Sequence, residues 1–200
     1  MTLRLQCWLF AVGATFFAVA TAPGVPAVVT ATGTNVLCFI GSWFFTSAAF
    51  IQWRGAGPQV PERLSASTQL AGTVMFNLST GAAVWAHRVP AERDFVWTPD
   101  AFGSTLFLVS SAVAVYLVVR GGGWLRPDSR EWQAGWLNLI GSVAFGASAV
   151  GAVVRGAGTV ADQRLANVGT FVGALCFLVA ALVTLPARAQ SARADANSPG

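Results

Sequence analysis

Apolar residues along the chain are gathered into six blocks, separated by short segments that carry Pro, Gly or Arg. The blocks cover residues 5–21, 34–53, 68–86, 100–119, 132–154 and 165–185. A helix that crosses lipid needs roughly 20 residues. The pattern therefore predicts an all-α fold, an integral membrane bundle of six transmembrane helices that forms one domain over residues 1–186.

Helix-starting signals stand before the fourth and fifth blocks. Thr98 can cap the fourth helix, Pro99 suits its first position, and Asp100 favours the positive end of the helix dipole. Asp128 with Glu131 has the spacing of a capping box ahead of the fifth helix. After the sixth block, residues 187–200 are polar and rich in small residues, which predicts a disordered tail.

A spaced signature recurs in every block. Each copy has a Gly, a small residue directly after it, a Phe four positions after the Gly, and small residues at the seventh and eighth positions. The six pairs are Gly13 with Phe17, Gly41 with Phe45, Gly72 with Phe76, Gly103 with Phe107, Gly141 with Phe145, and Gly173 with Phe177. One aligned copy per block predicts that the bundle is built from a repeated helix unit.

The positions of the signature share one face of a helix, so each helix carries a stripe of Gly, Phe and small residues. Helices in lipid associate largely through close packing at small residues. We expect these stripes to pack against one another, with each Phe filling the space over a neighbour's Gly. The alternative is that the stripes line a polar path across the membrane.

Polar groups within the blocks are few, and no block has a charge near its middle. Asn77 lies deepest, whereas Asn138 and Asn167 are nearer to helix starts. Asn77 is therefore the candidate polar intramembrane group for a function. The alternative is that Asn77 donates a hydrogen bond between helices and serves packing alone.

The arginines predict the orientation. With the amino terminus inside, eight of the twelve basic residues fall on the inner side and four on the outer side. The positive-inside rule then places both termini in the cytoplasm. The first block could also be a signal peptide cleaved after Ala20-Thr21-Ala22, but Pro23 would directly follow the cut, so we expect an uncleaved helix.

Composition excludes most soluble functions. Only 10% of residues are charged, against about 25% in typical soluble domains. The net charge of +4 comes from arginines beside apolar blocks, where they meet lipid headgroups, so we expect no nucleic-acid binding. The abundance of Ala, Gly, Val and Arg without Lys favours a bacterial protein of the plasma membrane.

No motif for catalysis, metal binding or a cofactor is present in the sequence. Cys7, Cys38 and Cys176 form no CxxC or metal-ligand spacing. His87 is the single histidine and stands at a block's end, so a haem or zinc site lacks partners within the chain. We therefore expect no cofactor and no enzyme activity.

The signature also carries a resemblance. The run Asp100–Ser111, and the similar stretches Gly41–Ala49 and Gly141–Ser148, resemble the YrhK-like membrane domain of bacteria. The resemblance implies a multi-pass bacterial membrane protein. That family has no assigned chemistry, so no functional residue is carried over.

Three function classes follow. The first, which the sequence favours, is a non-enzymatic accessory or scaffold protein that contacts the lipid bilayer and binds another membrane protein or a second copy of itself. The second is a channel or carrier for a small neutral or weakly polar solute. The third is an enzyme that acts on lipid at the cytoplasmic face through residues 120–131, but the sequence lacks a catalytic constellation for it.

Overall fold

The computed structural model describes residues 3–85, 89–156 and 159–186. It contains six long helices: α1 (Leu3–Thr21), α2 (Val25–Gly55), α3 (Val60–Ala83), α4 (Thr98–Gly122), α5 (Arg130–Gly151) and α6 (Gln163–Thr184). The predicted all-helical class is confirmed for the described part of the chain. His87 and the tail predicted to be disordered, residues 187–200, lie outside it.

Five of these helices are long and apolar enough to cross a membrane: α1, α2, α5, α6, and α4 together with the helical segment before it, Glu92–Gly122. Helix α3 has 24 residues but is not among the five. It carries Glu62, Arg63, Gln69 and Asn77, which lower its hydropathy.

Large apolar side chains cover the outside of the described bundle. Phe102 is 63% exposed, and Trp43 and Val143 are each 55% exposed. Water-soluble monomers rarely expose apolar surface over several adjoining helices. The helix lengths and this outer surface together support a membrane-embedded protein.

The six helices form a closed ring in which each packs extensively against two others. Chain neighbours pack side by side from α1 to α6, and α6 closes the ring against α1. Contact is most extensive within three hairpins, α1–α2, α3–α4 and α5–α6. Because the helices alternate in direction, α1 begins and α6 ends on one side of the ring, which we call the terminal end.

Close approach within each hairpin depends on the stripe glycines. A Cβ atom added to Gly13 would lie 2.9 Å from the carbonyl oxygen of Gly41 and 3.0 Å from the ring of Phe45. The same crossing recurs between Gly72 and Gly103, and between Gly141 and Gly173. In all three hairpins, the Phe of one helix covers the Gly of its partner.

Polar side chains connect the hairpins at two of the three junctions. Between α2 and α3, the hydroxyl oxygens of Thr80 and Ser42 lie 3.2 Å apart. Between α4 and α5, the hydroxyls of Ser111 and Ser142 are 2.6 Å apart. At the junction of α6 with α1, the described residues form no side-chain hydrogen bond between the two helices, so this contact is apolar.

Helix α2 begins at Val25, nine residues before the predicted start at residue 34, with a break at Thr30. Thr30 has φ 65° and ψ 161°, a conformation that costs a β-branched residue energy. Pro26 is compatible with a first helical turn, because the backbone N–H groups there need no helical partner. For the same reason α3 begins at Val60, with Pro61 in its first turn, rather than at residue 68.

The predicted capped start at Thr98 is wrong. A helical turn, Val89–Ala91, and a π-helical segment, Glu92–Trp97, run without a break into α4. The Thr98 hydroxyl donates to the carbonyl of Arg93 over 2.8 Å instead of capping. Pro99 explains the wider turn, because it lacks an N–H and its ring clashes with the carbonyl four residues before it.

The other helix ends differ by a few residues from the predicted ones. Helix α5 begins at Arg130 with Ser129 as its cap, accepting from the backbone N–H of Trp132, so the predicted Asp128–Glu131 capping box does not form. Helix α5 ends at Gly151 rather than at residue 154, because Val154 pairs with Val160 in an antiparallel bridge. Asp162 caps α6 by accepting from the N–H of Leu165.

Substitution of a stripe glycine tests the crossing. We expect Gly13→Ala to destabilise the protein by about 1–3 kcal/mol, because the added methyl meets the Gly41 backbone. Gly146→Ala is the matched control on α5, where an added Cβ meets nothing within 4 Å, and we expect it to be neutral or to stabilise by up to about 1 kcal/mol. Unfolding in mild detergent, followed by circular dichroism, measures both. Equal stabilities of the two variants would contradict the packing role of Gly13.

Candidate functional site

Six phenylalanines, one from each stripe, meet at the centre of the ring. They are Phe17, Phe45, Phe76, Phe107, Phe145 and Phe177, and all are between 2% and 5% exposed. They belong to one buried cluster together with Ala14, Ala18 and Ala174. We call these six side chains the phenylalanine layer.

Contacts within the phenylalanine layer cross the ring axis. The ring centroids of Phe17 and Phe145 lie 6.3 Å apart, and those of Phe45 and Phe177 lie 5.8 Å apart, although neither pair belongs to neighbouring helices. Most pairs are edge-to-face, the arrangement that aromatic quadrupoles prefer. The layer therefore fills the middle of the ring with tightly packed apolar groups.

A cavity of about 520 Å³ lies on the side of the layer away from the terminal end. Phe17 and Phe76 form part of its wall, and the charged residues that line it are Glu92 and Asp100. Hydroxyl, amide and indole groups also line it, among them those of Thr34, Asn35, Trp97, Ser148 and Asn167. We call this space the acidic cavity.

A second cavity, of about 170 Å³, lies on the terminal side of the layer. Phe177 forms part of its wall. The described polar residues that line it are uncharged and include Gln6, Gln52, Ser65, Gln69, Asn138 and Thr184. We call this space the amide cavity. Two polar cavities thus share the axis of the ring, with the phenylalanine layer between them.

The stripes have two different regions. Their central positions, the Gly, the following small residue and the Phe, are buried in all six helices. Small residues further along the stripes, such as Ser79, Ser110 and Ser148, line one cavity or the other. The stripes therefore take part both in packing and in lining the polar cavities.

Asn77 lines neither cavity. Its side-chain amide donates to the Thr46 hydroxyl of α2 over 2.8 Å, and the Thr46 hydroxyl donates to the Ser42 carbonyl over 3.1 Å. The side-chain oxygen of Asn77 is buried and has no hydrogen-bond partner among the described residues. This placement favours interhelical packing over a functional role for Asn77.

Asp100, Glu92 and Trp97 are the site residues that the sequence does not reveal. Thr98-Pro99-Asp100 has the pattern of a helix start, which would place Asp100 at the membrane surface. Because the helix continues backwards through the π-helical segment, Asp100 instead lies inside a helical stretch of 31 residues. The signal that could have shown this is the apolar run Phe95-Val96-Trp97 before the proline.

The three cysteines do not come together. Cys7 lines the amide cavity, Cys38 lines the acidic cavity, and Cys176 lies against Gly141. Each is a free thiol. Among the described residues, no group of three or more His, Cys, Asp and Glu side chains is placed to hold a metal ion.

No protein-family model, curated protein or solved structure matches the chain. The resemblance to the YrhK-like membrane domain therefore stays a prediction. The geometry of the ring is the basis for the function proposed below.

The role of Asn77 can be measured with a double-mutant cycle between Asn77→Leu and Thr46→Val. Interhelical hydrogen bonds in membranes contribute on average about 0.6 kcal/mol and at most about 1.7 kcal/mol, so we expect a coupling energy in that range. The single change Asn77→Leu is expected to have a small net effect, because it also removes the unpaired buried oxygen.

The control cycle pairs Asn77→Leu with Thr105→Val. Thr105 is exposed on α4 and its hydroxyl donates to the Ala101 carbonyl of its own helix. We expect no coupling in this cycle. Zero coupling between Asn77 and Thr46 as well would show that the Asn77–Thr46 hydrogen bond does not hold α2 and α3 together.

Proposed function

We propose that the protein is a non-enzymatic channel or carrier that moves a small polar solute along the axis of the ring. The observation that carries this proposal is the arrangement of two polar cavities on opposite sides of one phenylalanine layer. Helix packing alone does not require amides, hydroxyls and carboxylates around two cavities. Polar groups in a membrane interior are energetically costly and tend to mark a pathway or a binding site.

The phenylalanine layer has the properties of a hydrophobic gate. Apolar constrictions block water and polar solutes by remaining dry, without needing a mechanical seal. The described conformation is therefore the closed state in this proposal. Opening requires the aromatic side chains to move apart, or the hairpins that carry them to tilt.

The proposal treats α3 as the sixth membrane span. Its 24 residues extend over about 36 Å at 1.5 Å per residue, enough to cross the hydrocarbon core. Gln69 and Ser65 point into the amide cavity, and Ser79 and Thr80 into the acidic cavity. Of the polar residues that lower the hydropathy of α3, Gln69 is thereby kept away from lipid.

We also propose that the terminal end faces the cytoplasm of a bacterium. Six arginines of the described residues lie near that end: Arg4, Arg54, Arg63, Arg120, Arg126 and Arg130. Three lie near the opposite end: Arg93, Arg155 and Arg164. By the positive-inside rule, the amide cavity then opens towards the cytoplasm and the acidic cavity towards the outside.

The accessory or scaffold class remains the competing explanation. In the ring, the central Gly and Phe positions of the stripes are buried against neighbouring helices of the same chain. They are therefore not exposed to a second protein, which weakens the argument that the sequence made for that class.

The experiment measures solute entry into liposomes that contain the purified protein, with erythritol as the probe and stopped-flow light scattering as the readout. We expect faster swelling than in protein-free liposomes. Phe145 has ring contacts with four other members of the layer. The variant Phe145→Ser should therefore raise the rate of erythritol entry several-fold, because a hydroxyl group in the layer lets water enter the gate.

Two control variants distinguish an effect on the gate from a general disruption of the fold. Phe145→Leu keeps the layer apolar and should raise the rate far less than Phe145→Ser. Phe102→Ser changes an exposed phenylalanine on the outer surface and should leave the rate unchanged. If neither the wild type nor Phe145→Ser exceeds protein-free liposomes, the solute pathway is refuted and the accessory class is favoured.

A further inference from the structure

We propose that the acidic cavity binds a small organic cation of the ammonium type. This inference rests on the proposed solute pathway and names the class of solute that enters it. Four properties of the cavity support this proposal: its charge, its hydrogen-bonding groups, its aromatic wall and its size.

The charged groups that line the cavity are carboxylates alone. Glu92 and Asp100 contribute to the wall, and no basic side chain does so among the described lining residues. Neither carboxylate has a hydrogen bond or an ion pair with another described side chain. Asp94, in contrast, lies outside the cavity and forms an ion pair with Arg93 at 3.0 Å. A carboxylate inside a membrane helix is costly unless it has a partner, so a cationic ligand would stabilise Asp100.

Several polar groups around the cavity donate to backbone carbonyls. The donors are the hydroxyls of Thr21, Thr34, Thr80 and Ser148, the amide of Asn35 and the indole of Trp97. Hydroxyl oxygens that have donated their hydrogen keep lone pairs and can still accept. These hydroxyl oxygens and the two carboxylates are acceptors that suit a ligand with N–H groups or positive charge, whereas the side-chain amides of Gln163 and Asn167 add donors of their own.

Trp97 adds an aromatic surface to the wall. Its indole N–H donates to the Ala149 carbonyl over 2.9 Å, which fixes the ring in place. Ammonium groups bind to indole faces through the ring quadrupole, and tryptophan is the strongest of the aromatic partners. Trp97 and Asp100 lie one helical turn apart in the sequence, so both can contact one ligand.

The size of the cavity favours an organic ligand. Its volume of about 520 Å³ falls within the range of small-molecule sites, roughly 300–1,000 Å³. A bare metal ion would leave most of this space empty. The described residues also lack a cluster of three metal-ligating side chains. The combination of two acids, acceptors and an indole fits an ammonium ion with a short organic substituent.

The test compares choline with 3,3-dimethylbutan-1-ol, which has the same shape but a carbon in place of the charged nitrogen. Binding to the purified full-length protein is measured by calorimetry. We expect choline to bind and the uncharged analogue to bind at least about tenfold more weakly. Asp100→Asn should weaken choline binding by about tenfold or more without changing the affinity for the analogue.

The matched control is Asp94→Asn, which removes the same charge from the same end of the ring but outside the cavity. We expect it to leave choline binding unchanged. If Asp100→Asn does not fold, Glu92→Gln replaces it and should weaken choline binding in the same direction. Equal affinities for choline and its analogue, or equal effects of the Asp100 and Asp94 variants, would overturn the inference.

Erythritol entry in the same preparations separates the two proposals. If erythritol still enters liposomes containing Phe145→Ser while choline fails to bind selectively, the pathway stands and the cation site is refuted. If choline binds selectively but no variant admits erythritol, the cation site is supported and the proposed pathway is refuted.

Discussion

The reciprocal packing of glycine and phenylalanine within each hairpin determines the rest of the architecture. Glycine lets two helix backbones approach until a Cβ atom would touch the opposite carbonyl, and the partner's phenylalanine then covers that glycine. The phenylalanine cannot turn outwards without uncovering it, so it points to the axis. With three such hairpins in a ring, six aromatic rings meet at one depth. Dispersion contacts, rather than the hydrophobic effect, supply the attraction, because the surrounding lipid is equally apolar.

The distribution of polar groups is the reverse of that in a water-soluble protein. The outer surface is largely apolar, and many of the amides, hydroxyls and carboxylates at membrane depth line internal spaces. Hydroxyls of the stripes donate to carbonyls one turn earlier, as those of Thr80 and Ser111 do. Small hydroxyl residues therefore serve both close packing and a polar lining. The same repeated stripe can contribute to the phenylalanine layer and to the polar cavities on either side of it.

The sequence predicts those contacts that depend on the spacing of residues within one helix. The interval of four residues between Gly and Phe predicted which side chains share a helix face, and the structure brings those twelve residues together. The acidic cavity could not be predicted in this way, because it depends on whether the helix starts at Thr98. A Thr-Pro-Asp sequence has the ordinary pattern of a helix start, whereas here the chain before it continues as a π-helical segment, so that Asp100 lies within a longer helical stretch. Ring closure was likewise not predictable, since nothing in the spacing indicates that α6 returns to α1.

The apolar contact between α6 and α1 has a consequence for biosynthesis. Helix α1 leaves the ribosome before its ring neighbour α6, so the ring stays open on one side until α6 has been made. Until then, the side of α1 that contacts α6 in the ring faces lipid acyl chains. Hydroxyls or amides on that side of α1 would have no hydrogen-bond partners in lipid. The hydroxyls of Thr15 and Thr21, however, already donate to carbonyls of α1 itself. The nascent protein can therefore stay in the bilayer before α6 is added without leaving the hydroxyls of Thr15 and Thr21 unpaired along that edge.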